Sequence, residues 1–391
     1  MITLQTAQNA LKTVYLEAIS NQLNNKIDPV FSMIKQSSTD VYGRNIIKLV
    51  PFGLNGGIGA GTEDGLLPES CDSRYVNFST TLKNLYGTIE ISDKAIRAST
   101  NDEGAFVNLL TAEMDGLLQS SKFNISRMFY GDGSGEIGGT ITAVDTSNKT
   151  IKVTNATGFM EGMLLDFYLS DVLDAGMQGV EVLRVDRANG IVYLSAVSSS
   201  LTSSSMGNYT ICVQGSKDKE ITGLGAIFGE SETLYGLNRA EYASLMPYKY
   251  AKKSSETLDE MFIQKMMDNI ENKSNYQPNV ILCGGDMIYT VMGLLAGYTK
   301  NLDTTHLNGG FTSVSFCGVP LLRNRFETTN NFIMLNTNEF TLHQLCDWEW
   351  LTHSDGSILK QKEGYATYSA TLVKYADLVC NRPNAQGIIT V

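Results

Sequence analysis

The chain has 391 residues and is acidic, with 41 Asp and Glu against 30 Lys and Arg and a net charge of -11. Neutralising phosphates needs clustered Lys and Arg, so this balance argues against a dedicated nucleic-acid binder. The length exceeds one usual domain and predicts two or more cores, and the low charged fraction of 18% with plentiful Gly, Ser, Thr and Asn suits polar surface turned toward other subunits, or a glycine-rich β protein.

In chain order, residues 3–35 open with Leu4, Ala7, Leu11, Val14, Ile19 and Leu23, a partly amphipathic helical arm that ends before Asp28-Pro29. Such an arm docks on its own domain or on another subunit. Residues 45–52 read as a strand with the apolar centre Ile46, Ile47, Leu49 and Val50, and residues 75–91 read as its return. Between them lies a tip rich in glycine (Gly53, Gly56, Gly57, Gly59, Gly61 and Gly65) that also carries Glu63 and Asp64. A two-stranded ribbon is marginal in water, and nothing in the tip supplies support, so a neighbouring subunit is the expected prop.

Thr100 and Glu103 stand at capping-box spacing ahead of Phe106, Leu109, Leu110, Met114, Leu117, Leu118, Ile125, Met128 and Phe129. These spacings trace one face of a helix to Tyr130, roughly 45 Å long, that stops on the tract Gly131-Asp132-Gly133-Ser134-Gly135. Gly116 in its middle marks either a point of bending or close packing, or a tolerated glycine. Residues 138–215 then alternate strand and turn over 140–144, 150–154, 163–169, 179–185, 191–197 and 209–213, which predicts a small β-barrel.

From Gly223 onward helices and strands mix. Thr257 and Glu260 again have capping-box spacing before a helix carrying Leu258, Met261, Phe262, Met266 and Ile270. Val280-Ile281-Leu282-Cys283 predicts a buried strand, Gly284-Gly285 a turn, and Asp286 the cap of a second helix to Leu295. Residues 311–323 and 331–345 add strands, and residues 364–378 read as a long final strand.

The amphipathic arm, the Gly-rich hairpin, the entry Tyr86-Gly87-Thr88-Ile89-Glu90-Ile91-Ser92-Asp93, the long helix and the Gly-Asp-Gly exit together resemble a major capsid protein of tailed bacteriophages. The resemblance covers nearly the whole chain in element order and rests on that order and on short phrases, not on a catalytic signature. It implies an α+β chain of the HK97 type. The divisions it implies are an N-terminal arm (1–40), an extended β-hairpin loop (41–92), a peripheral domain with the spine helix (93–137 and 346–391), an inserted β-barrel (138–218) and an axial domain (219–345). It further implies self-assembly into hexamers and pentamers of an icosahedral shell enclosing double-stranded DNA without sequence-specific binding. Partners would be a separate scaffolding protein, a portal and head decoration proteins, and the place of assembly the host bacterial cytoplasm.

Chemical motifs argue for no enzyme, cofactor or metal. Gly133-Ser134-Gly135-Glu136-Ile137-Gly138 matches GxGxxG, yet it follows a helix and precedes a strand, the reverse of a dinucleotide-binding turn. No phosphate loop occurs, and His306, His343 and His353 lack ligand spacing. Cys71, Cys212, Cys283, Cys317, Cys346 and Cys380 form no CxxC pair, and disulfides are not expected in a cytoplasm. Asn-X-Ser/Thr at Asn148, Asn155 and Asn208 reads as composition, because no secretory signal is visible and no run is apolar enough to span a membrane. Asp347-Trp348-Glu349-Trp350 could pair carboxylates beside aromatics for sugar chemistry, but strand alternation instead puts both tryptophans on one face and both acids on the other.

Four residues stand out as intersubunit ion-pair candidates: Arg44 and Arg74 near the hairpin base and Glu63 and Asp64 at its tip, with solvated charges as the plain alternative. Two rival functions share some of these features. One is an encapsulin-like cellular nanocompartment shell, and the other is a soluble carbohydrate-active enzyme built on the barrel and the tryptophan cluster.

Overall fold

A 28-residue helix, Glu103–Tyr130, lies against a five-stranded sheet whose central strand, Thr367–Cys380, runs antiparallel to both Phe340–Trp350 and Lys83–Ser92. The computed structural model describes residues 16–25, 28–53, 56–66, 69, 72, 74–94, 103–296, 304–306, 312–352 and 356–391. Within them the helix buries Met114, Leu118, Ile125 and Phe129 against Leu85, Ile89, Trp348 and Leu372. Gly87 lets the helix approach, since a Cβ there would stand 2.8 Å from Leu117. The helix Leu16–Asn25 adds Ile19 and Leu23 to the same core. The rest of the expected arm, and the cap at Thr100, lie outside the described residues. Gly116 is exposed, with no atom of the described residues near its missing side chain, so it marks no close packing among them.

A second, seven-stranded sheet is built from residues 141–213 and encloses its own core around Ile151, Phe159, Phe167, Val182 and Ile211. Its strands, Ile141–Asp145, Thr150–Val153, Leu164–Leu169, Val180–Asp186, Ile191–Leu194 and Tyr209–Val213, fall within two or three residues of those expected from alternation. The sheet curls: just ahead of its first strand, the Ile137 amide donates to the Ile211 carbonyl of its last at 2.8 Å, and Glu136 bridges to Cys212. A short strand, Val172–Leu173, was not expected; it follows a tight turn at Ser170-Asp171, both with positive φ.

The third sheet, also seven-stranded, holds the buried strand Val280–Cys283 between Asn331–Leu335 and Val319–Arg323 and packs on the helix Glu260–Ser274. Four expectations need correction. The return of the hairpin is two strands, Arg74–Thr81 and Lys83–Ser92, and the second leaves the hairpin to pair with Thr367–Cys380. Residues 331–345 likewise divide between two sheets, at the turn Thr337–Glu339. The strand Thr367–Cys380 is not the last, because Gly387–Thr390 returns to the third sheet beside Asn331–Leu335. Finally, Asp259 caps the helix Glu260–Ser274 by accepting from the Phe262 amide at 2.7 Å, and a charged carboxylate at the positive end of a helix supersedes the capping box read at Thr257.

Candidate assembly surface at the hairpin

The hairpin consists of Asn45–Gly53 paired antiparallel with Arg74–Thr81, with Val41–Tyr42 added at its base. Nine residues at about 3.3 Å each make an arm roughly 30 Å long. Period-two alternation gives it two distinct faces. Inward, Ile46, Val50, Val76 and Phe78 are buried against Leu234, Tyr235, Leu245 and Val379. The Phe78 and Tyr235 rings stack at 5.2 Å, and the Ser79 amide donates to the Tyr235 carbonyl. Tyr235 sits in the turn of a two-stranded buttress, Thr233–Leu234 with Leu237–Asn238, where Tyr235 and Gly236 both take positive φ. The base of the ribbon therefore rests on its own chain, contrary to the expectation that all its support comes from a neighbour.

The outward face is different. Ile47, Leu49 and Tyr75 are exposed there, Leu49 at 60%, and the tip adds Ile58 at 91% and Leu66 at 98%, whereas Phe52, at the register shift, sets its ring edge-on to Tyr242 at 5.5 Å. Scattered exposed apolar residues are ordinary, but an aligned row on a projecting ribbon is what an unpartnered contact surface looks like.

The four candidate residues all lie on this ribbon and are exposed. Arg44 follows Gly43 in the turn into the first long strand, whereas Arg74 faces Gly53 at the tip end of the ribbon and not near its base as expected. Glu63 and Asp64 sit in the turn closed by the Gly65 amide on the Thr62 carbonyl. None of the four makes an ion pair with another described residue. The exposed row at Ile47, Leu49 and Tyr75 was missed by the sequence reading, although its period-two spacing was available as a signal.

Beneath the hairpin, buried polar groups lock its root and the arm. Asp377 is fully buried and accepts from Thr80 Oγ1 at 2.6 Å, the Thr222 amide at 2.7 Å, Thr222 Oγ1 at 3.0 Å and the Leu378 amide at 3.0 Å. Burial raises its carboxyl above the usual range, and those donors pull it back. Beside it, His343 Nδ1 meets the Thr39 carbonyl at 2.9 Å while Nε2 faces Lys48 Nζ at 3.3 Å. Further along the sheet, the buried Lys374 ammonium donates to Asn24 Oδ1, Gln36 Oε1 and Asp347 Oδ1 within 3.2 Å, tying the helix Leu16–Asn25 to the sheet. Burial lowers that lysine from its ordinary value.

Trp348 and Trp350 are buried while Asp347 and Glu349 are exposed, so the alternation expected of a packed strand holds and no open aromatic site forms. Gly133, Gly135 and Gly138 all adopt positive φ; the first two pack on residues 216–221, where a Cβ at Gly135 would stand 2.6 Å from the Ser216 carbonyl, and Gly138 packs on Phe159. Among the described residues no group of three His, Cys, Asp or Glu could hold a metal, and no helix is long and apolar enough to cross a membrane. Cys212, Cys283 and Cys380 are buried, and burial pushes the Cys283 thiol up to about 12. His306 and His353 lie where side chains are not described.

No protein-family model matches the sequence, and no curated protein matches it. Solved structures do. A chain of the cyanophage A-1(L) capsid asymmetric unit superposes with a TM-score of 0.55 at 12% identity, covering 93% of this chain and 92% of that one. A chain of the capsid of an empty GTA particle gives 0.48 at 10% identity over 93% and 90%, and one of the satellite phage P4 procapsid including its size determination protein gives 0.45 at 11% over 95% and 96%. The mixed α and β architecture described above is thus similar in fold, over 93% of this chain, to a cyanophage capsid chain.

Proposed function

We propose that this chain is a major capsid protein that self-assembles into the icosahedral head shell around the genome of a tailed bacteriophage. The observation that carries the reading is the likeness to a capsid chain over 93% of the sequence, with no large part of either chain left over. The ribbon supports it independently, because its outward row of Ile47, Leu49 and Tyr75 stays exposed among the described residues.

In this reading the helix Glu103–Tyr130 is the spine of an HK97-type subunit and residues 41–92 are its extended loop, rooted in the peripheral sheet through Lys83–Ser92. Residues 1–40 are the arm, 93–137 and 346–391 the peripheral domain, 219–345 the axial domain around the capsomer centres, and 138–218 an inserted, curled barrel. Arg44, Arg74, Glu63 and Asp64 pair with charges on neighbouring copies. The shell encloses double-stranded DNA without reading its sequence, and an acidic subunit with a net charge of -11 avoids adhesion to that cargo. A separate scaffolding protein, a portal and decoration proteins complete the head, which assembles in the bacterial cytoplasm.

The contents of the particle test the reading. Particles produced with the neighbouring genes are expected to protect genome-length double-stranded DNA from nuclease. Particles that hold a folded cargo enzyme and no DNA would instead identify a cellular nanocompartment.

A further inference from the structure

The root of the hairpin is seated on two ionisable residues that stand directly opposite each other on adjacent strands, His343 and Asp377. Both are buried, at 1% and 0% exposure. The hairpin contributes Lys48 and Thr80 to this junction, one from each of its strands, and each touches one member of the pair.

The hydrogen bonds fix the proton on the histidine. A backbone carbonyl only accepts, so the contact between Nδ1 and the Thr39 carbonyl assigns the proton to Nδ1. Nε2 is then the acceptor that faces the Lys48 ammonium. A neutral imidazole suits this position. A protonated one would point a second N–H at an ammonium 3.3 Å away, inside a partly desolvated junction where charges interact strongly.

The nearest carboxylate in register does not relieve that clash. Asp377 is closest in register, but its oxygens already accept from Thr80, Thr222 and Leu378. The other charged groups acting on His343 and Lys48 are Asp40 in the preceding turn, Glu339 before the sheet strand and Lys35 on the adjoining strand, and Lys83 acts on Asp377. None of these acids makes a hydrogen bond to the imidazole.

We propose that this junction is a proton-operated latch, in which protonation of His343 drives Lys48 away and unseats the root of the hairpin. Burial first, and the Lys48 charge as well, hold the His343 pKa below its ordinary value. The unfolded or unlatched state therefore binds the proton more readily, so the latch is fully closed above about pH 6.5 and weakens as pH falls below it. The latch is a property of one chain and stands whether or not that chain forms shells. Its consequence, a hairpin freed to move in acid, bears on assembly only under the capsid reading.

Hydrogen exchange of the full chain, corrected for intrinsic rates and compared in one assembly state, tests this between pH 7.5 and 5.5. In the wild type, protection of the strands Asn45–Gly53 and Arg74–Thr81 is expected to fall several-fold with acid while the sheet of residues 141–213 stays unchanged. His343→Gln keeps a neutral polar group and Lys48→Met removes the opposing charge, so both are expected to flatten the response. The Lys48 variant keeps the test available if the histidine variant fails to fold. Asp377→Asn controls for the neighbouring carboxyl. A response that persists in both His343→Gln and Lys48→Met, or vanishes only in Asp377→Asn, overturns the proposal.

Discussion

Among the described residues, the most deeply buried ion pair is Arg127 with Glu220. The guanidinium of the long helix grips the carboxylate at the exit of the curled sheet with two bonds, at 3.0 and 2.5 Å, and both side chains are almost fully buried. A buried pair of this kind adds little net stability over apolar residues, but removing one partner strands the other charge. Glu220→Ala is therefore expected to cost about 3–5 kcal/mol in urea unfolding, while the double change Arg127→Met with Glu220→Leu recovers most of it. Equal losses in the single and double variants would show that packing, not the stranded charge, sets the cost. Partnerships of this sort were not legible in the sequence. Arg127 and Glu220 are 93 positions apart, and Lys48 and His343 are 295 apart, so no local spacing announces them. What was legible at this scale was alternation: Trp348 and Trp350 turn inward and Asp347 outward because a strand has period two.

At the scale of elements, the strands of the curled sheet could be read closely because each carries alternation and ends on turn residues such as Asp145 and Asn148, whose side chains bond within the turn. The helix Glu103–Tyr130 was equally plain from its apolar spacing and the glycine tract beyond it. The elements that escaped are those decided by distant pairing. Lys83–Ser92 looks continuous with the hairpin and is separated from it at Leu82, whose amide donates to the Arg44 carbonyl. Gly387–Thr390 is four residues long and becomes a strand only because Asn331–Leu335 and Tyr248–Ala251 flank it. The hairpin is the element on which the proposed function depends. Its base is anchored by its own chain through Phe78 and Tyr235, whereas its tip is exposed. Deleting residues 56–65 is therefore expected to leave the melting temperature nearly unchanged and to abolish shells. Normal shells from that variant would remove the tip from the account of assembly.

For the whole molecule, the five-stranded sheet, one face of the third sheet and the long helix share a core that runs from Ile19 through Phe129 to Leu335 and Cys380, while the curled sheet, the other face of the third sheet and the hairpin root each have a core of their own. Such a subunit can make many similar contacts at once. In a closed symmetric shell each contact is repeated, so modest single interfaces give a stable whole. Shell formation is tested first by electron microscopy of the purified, recombinant chain, alone and with its neighbouring genes, alongside sedimentation for assembled mass. Closed shells or capsomer rings are the expected result. A monomer or small discrete oligomer under both conditions would contradict it.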